Sequence, residues 1–151
     1  MKIKTLVAVL LLSGGVTSTF AQSDCNANSS ISHEAVRAKN FKDAYAPCMA
    51  VLKDCPTLRY YTYTDAQKIL TGLMSQIKDR NSAEYKKLFD ELMAVHDQKM
   101  KYIPEFASKM RGVPSVASAL GTKAVDYLQY APAPDLNQAY ACLLYTSDAA
   151  D

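Results

Sequence analysis

Residues 39–56 read KNFKDAYAPCMAVLKDCP. Ala44, Cys48, Val51, Leu52 and Cys55 recur at steps of four, three, one and three, which lines them along one side of a helix and predicts that side to be buried. Lys42, Asp43, Lys53 and Asp54 lie opposite, and Pro56 ends the segment, because the residue before a proline is pushed out of helical geometry. The spacing therefore predicts a helix from about Phe41 to about Asp54. Just upstream, SISHEAVRAK (30–39) predicts a helix of about three turns with Ile31, Ala35 and Ala38 on one side. A loop of about two residues remains between them, and so short a connection forces an antiparallel hairpin.

The same periodicity continues downstream. Ala66, Ile69, Leu70, Leu73 and Ile77 predict a helix over 64–78, with Asp65, Gln67, Lys68, Ser75 and Gln76 turned mainly to water. Asn81 to Glu84 is an N-terminal capping signature, and Leu88, Phe89, Leu92, Met93, His96 and Met100 form the stripe of a helix expected to end near Tyr102, with Pro104 as its stop. Val116, Ala119, Leu120, Ala124, Tyr127 and Leu128 predict another over 115–130; residues 131–134 break it, and Asp135 caps a last one. The fold class is all-α. No β-alternation and no Gly-rich phosphate loop occur, which argues against a nucleotide-binding α/β fold.

Phe41, Ala44, Cys48, Val51 and Pro56 stand at the spacing of the second helix of the tetratricopeptide repeat, and the stretch resembles that unit of about 34 residues. Asn28, Ser32 and Ala35 depart from the pattern of its first helix, as in a degenerate first repeat. Further on, Leu120–Gly121 resembles the close-packing spot of a first helix, and Ala139 the small residue of a second. Across 24–141 the succession is similar to exported bacterial tetratricopeptide proteins. The resemblance implies antiparallel helical hairpins stacked as an α-solenoid, truncated at the C-terminus. It also implies a non-catalytic scaffold for a protein or peptide partner, held on the exposed side of the first helices, where Ser29, Ser30, His33 and Arg37 are the candidate face. Two other readings stay open: the helical docking region of an enzyme or glycan-uptake component whose working part lies further on, and a self-associating structural envelope protein.

Both ends are set apart from the fold. Residues 1–21 carry two lysines, an apolar run over 6–12 and Thr19-Phe20-Ala21 before Gln22, the pattern of a cleaved secretory signal peptide. That run is too short to span about 30 Å of hydrocarbon, so no stable membrane span is expected. The last ten residues, CLLYTSDAAD, are encodable by TGT CTC TTA TAC ACA TCT GAC GCT GCC GAC and read as translated sequencing adapter at 142–151. The domain is then 22–141, and export to the periplasm or cell envelope is expected.

Charge and cysteines narrow the chemistry. The chain carries 17 basic and 15 acidic residues, a net charge of +2 that survives removal of both ends, with no basic cluster to attract phosphate, so nucleic acid is not an expected partner. In an antiparallel hairpin the start of one helix lies beside the end of the next, which places Cys25 and Cys55 within the roughly 4.4–6.8 Å Cα separation of a disulfide; free buried thiols are the alternative. A zinc site built on Cys48, Cys55 and a histidine lacks the close ligand pairs such sites use, and no cofactor is expected. His96, on an apolar stripe, reads as a partly buried core histidine, and Tyr60, Tyr61 and Tyr63 read as packing residues.

Overall fold

Ala38, Lys39 and Asn40 end one helix and begin the next with no slack. The Asn40 amide donates to the Ala35 carbonyl (2.8 Å) and the Lys39 amide to that of Val36 (2.9 Å), a Schellman closure. Lys39 takes φ 57° to make it, a left-handed conformation that glycine adopts more readily. The Asn40 side chain then caps the following helix at the Asp43 amide.

The computed structural model describes residues 17–144, with side chains from Asp24 to Ala141. Six helices and no strand occur among the described residues: α1 (Thr17–Arg37), α2 (Phe41–Asp54), α3 (Tyr61–Met74), α4 (Ala83–Lys109), α5 (Val116–Tyr130) and α6 (Leu136–Leu144). Each packs on the next, and α1 also reaches α3, so that three hairpins follow one another. The signal-peptide reading falls largely on residues 1–16, outside the described residues, although α1 begins ahead of the expected domain start at 22. Of the expected adapter segment, 145–151 is also outside, while the backbone of 142–144 continues α6.

The α2 stripe is buried as its spacing requires, with Ala44, Cys48, Val51 and Leu52 inside. The α1 stripe is not the expected one. Ile31 is 57 % exposed and Ala38 is exposed, whereas Cys25, Ser29, Ser32 and Val36 face inward. Both buried serines are satisfied across helices: Ser32 Oγ donates to the Ala44 carbonyl of α2 (3.2 Å), and Ser29 Oγ shares a hydrogen bond with Tyr61 of α3 (3.2 Å).

Two prolines lie inside helices. Pro104 does not stop α4, which runs on to Lys109, and Pro47 lies within α2. Proline costs a helix one backbone hydrogen bond, roughly 3 kcal/mol in an ordinary interior. Burial on either side offsets this: Ile103 and Phe106 are in the core, and Phe106 meets Tyr60 and Tyr63 edge-on at 5.5 and 6.0 Å. The tyrosines before and within α3 thus hold the end of α4. Near the other end of α3, Gly72 lies under the Phe41 ring, and a Cβ there would run into it.

Candidate interaction surface

Where α1 meets α3, polar side chains knit the joint. His33 Nδ1 and Asp65 Oδ2 are 2.7 Å apart, with the Asp65 side chain nearly buried and that of His33 38 % exposed. Tyr61 packs against the His33 ring at 4.7 Å and shares a 3.2 Å hydrogen bond with Ser29 Oγ. Arg59 donates to Tyr61 Oη (2.5 Å) and to Asn26 Oδ1 (3.2 Å).

This corrects the candidate face on α1. Ser29 is 1 % exposed and His33 is engaged with Asp65, so only Ser30 and Arg37 lie in the open, and Arg37 pairs with Glu34 on its own helix. The four residues do not form one free surface. Asp65 and Gln67, expected to face water, both serve neighbouring helices. The signal for them was available only as histidines on other helices, whose register cannot be read from spacing along one helix.

A second polar joint links α3, α4 and α5. His96 is fully buried; its Nε2 sits 2.8 Å from Asp126 Oδ2 and its Nδ1 3.1 Å from Gln67 Nε2. The amide nitrogen can only donate, so Nδ1 accepts and the ring proton on Nε2 goes to Asp126. Both nitrogens are committed and out of solvent, which leaves no lone pair for base chemistry at His96.

The cysteines divide the same way. Cys25 and Cys55 are joined by a disulfide with a Cα separation of 6.3 Å, tying α1 to the end of α2. Cys48 is a free thiol, buried, with Sγ directed at the Thr62 carbonyl (3.6 Å). Burial pushes its pKa up to about 11, and the Asp65 charge acts the same way against a hydrogen bond from Ser32, so it holds no thiolate near neutral pH. Among the described residues no group of three or more metal-ligating side chains comes together, and no helix is long and apolar enough to cross a membrane.

An open surface lies between α2 and α4. A groove of about 500 Å³ is bounded by Lys42 and Tyr45 of α2, Leu73 of α3, Ile77 in the connection after it, and Glu84, Lys87 and Leu88 of α4. Tyr45 also lines a second hollow of about 270 Å³ with Met49, Leu52 and Val95. Tyr45 Oη donates to both Glu91 carboxylate oxygens (2.9 and 2.7 Å), and Lys87 lies 3.5 Å from the same carboxylate. Burial, and after it that hydrogen bond, hold the Tyr45 hydroxyl above its ordinary pKa. Lys42 and Glu84 line the groove, Lys53 lines the second hollow, and Lys86 and Asp90 line a third depression along α4.

Comparison with known proteins finds no matching family model, no matching characterised protein and no matching solved structure.

Proposed function

We propose that this chain is an exported, tetratricopeptide-like scaffold whose α2–α4 groove holds an amphipathic helix of a protein partner, and that it performs no catalytic step itself. The observation that carries this reading is the groove together with the hollow that shares Tyr45 with it: half-covered Leu73 and Ile77 in the first and Met49 in the second, with Lys42 and Lys53 at their edges. Apolar anchors at helical spacing would seat on the floor, and acidic residues flanking them would meet Lys42, Lys53 and Lys86. The engagement of both His96 nitrogens and the high pKa of Cys48 support the absence of a reactive group.

The test is to select helical peptides displayed on phage against the chain and titrate the winners by calorimetry. Peptides with acidic flanks are expected, losing about tenfold or more in affinity when Ile77→Glu or Leu73→Glu places a charge on the floor. Selected peptides that bind both variants as well as the parent would overturn the reading, as would selection that yields none.

A further inference from the structure

Lys99 is a buried charge with no counter-ion beside it. It stands on the inward stripe of α4, one turn after His96 and one turn before Ile103, and is 5 % exposed. Lysines are almost never found so deep unless they are paired. None of the ion pairs among the described residues includes it, and its Nζ makes no hydrogen bond. The ammonium lies over the Tyr60 ring, 5.6 Å from the centroid. A ring face offsets only part of the hydration an ammonium loses on burial. Asp126 is the acid whose field reaches Lys99, and that carboxylate already accepts from His96 Nε2 (2.8 Å). Burial holds the amine below its ordinary pKa, with Asp126 acting the other way.

Tyr60 repeats the pattern at the other end of the same contact. Its hydroxyl has no acceptor among the described residues, and burial raises its pKa. Tyrosines elsewhere in the core settle theirs: Tyr63 donates to the Pro56 carbonyl and Tyr85 to that of Tyr130, both at 2.9 Å. The Tyr60 ring is held edge-on against Phe106 at 5.5 Å. Neither unanswered donor is sealed in. Thr62 Oγ1 is the one side-chain polar atom among the described residues that is both enclosed and unpaired, so Lys99 Nζ and Tyr60 Oη keep an opening to water. One stands above the ring and the other at its tip.

We infer that Lys99 and Tyr60 form a binding site for a carboxylate, one of its oxygens accepting from the ammonium and the other from the phenol. The number of donors selects this ion. A carboxylate brings two oxygens and one negative charge, which two donors and one positive charge answer. A phosphate dianion brings more oxygens than there are donors and carries a second charge toward Asp126. Arg59, the guanidinium next in sequence, could not fork onto it, because it is turned to Tyr61 and Asn26. The site is separate from the α2–α4 groove, which neither Lys99 nor Tyr60 lines.

Titration of the chain, carrying isotope-labelled lysine, with sodium acetate tests this by NMR of the lysine ε-methylene signals, with sodium chloride at matched ionic strength as the reference. The Lys99 signal, identified by its absence from Lys99→Met, should shift saturably with acetate, half-complete at about 1–50 mM, and not with chloride. Tyr60→Phe keeps the ring, removes the hydroxyl and should weaken acetate binding about 3- to 10-fold. Lys53→Met, at the groove, should leave it unchanged. Acetate should also raise the melting temperature of the parent and not that of Lys99→Met. Replacing acetate by the capped tripeptide acetyl-Ala-Glu-Ala-amide separates two sources of the ion. Half-saturation about tenfold or more tighter with the peptide assigns the site to an acidic side chain of a partner protein; equal or weaker binding assigns it to a free small carboxylate. A Lys99 signal that chloride shifts equally, that never saturates, or that responds identically in Tyr60→Phe would overturn the inference.

Discussion

The two histidine–aspartate pairs perform one task in two environments. His33 and Asp65 join α1 to α3 at 2.7 Å with the imidazole side chain 38 % exposed; His96 and Asp126 join α4 to α5 at 2.8 Å with the imidazole fully enclosed. In the first pair the imidazole is open to water over a carboxylate that is nearly buried, whereas in the second the imidazole is enclosed and the carboxylate partly open, so each pair buries the opposite partner. The first joint has a covalent support close by, the Cys25–Cys55 bridge, and no disulfide supports the second among the described residues. Similar pairs thus secure adjoining hairpins by different means, a disulfide in one region and a closed hydrogen-bond network in the other.

The largest effect should come from breaking the covalent side. Cys25→Ser with Cys55→Ser opens a loop of 30 residues in sequence separation and should cost about 3–4 kcal/mol by denaturant melting. A loss under 1 kcal/mol would show that the polar joint holds α1 unaided. Next, His96→Ala leaves Asp126 and Gln67 without their shared partner and should cost about 2–3 kcal/mol, whereas His33→Ala, the smallest effect of the set, strands the nearly buried Asp65 carboxylate where water can enter in place of the ring and should cost about 1 kcal/mol. Equal losses at the two histidines would erase the contrast.

Between those extremes lies a pH effect at the α2–α3 joint. Cys48 keeps its proton to about pH 11 when folded and releases it near 9 when unfolded, so its stabilising contribution is complete below pH 9 and disappears as pH rises through 11. The buried Tyr63 and Tyr85 hydroxyls, also held above their ordinary values by burial, act in the same direction; Lys99, whose amine burial holds below its ordinary value, acts in the opposite one. Melts from pH 8 to 11 should show the parent losing about 2 kcal/mol more than Cys48→Ala. Parallel curves for the two proteins would mean the joint admits water.

The α2 helix was legible because its buried residues are apolar and a proline closes it. On α1 the inward stripe runs through Ser29 and Ser32, buried because their hydroxyls find partners on other helices, so hydrophobic spacing pointed to the flank holding Ile31. Pro104 read as a stop because local sequence does not reveal that Phe106 is anchored by Tyr60 and Tyr63, far away along the chain. Antiparallel hairpin geometry was enough to bring Cys25 and Cys55 to bonding distance. The groove and the polar joints were illegible for one shared reason: each needs the register of residues from two or three helices, such as Tyr45 with Glu91 or Gln67 with His96.

The turn at 38–40 has a mechanical consequence. Asn40 receives the end of α1 through its amide and starts α2 through its side chain, so no residue between the two helices is free to rotate. The first hairpin therefore behaves as a rigid lever. The connection between α3 and α4, residues 75–82, is longer than this turn. A load on α1 would be passed through the Cys25–Cys55 bridge to the end of α2 and through Tyr61 and Asp65 to α3, making this hairpin a handle by which the molecule is gripped and turned.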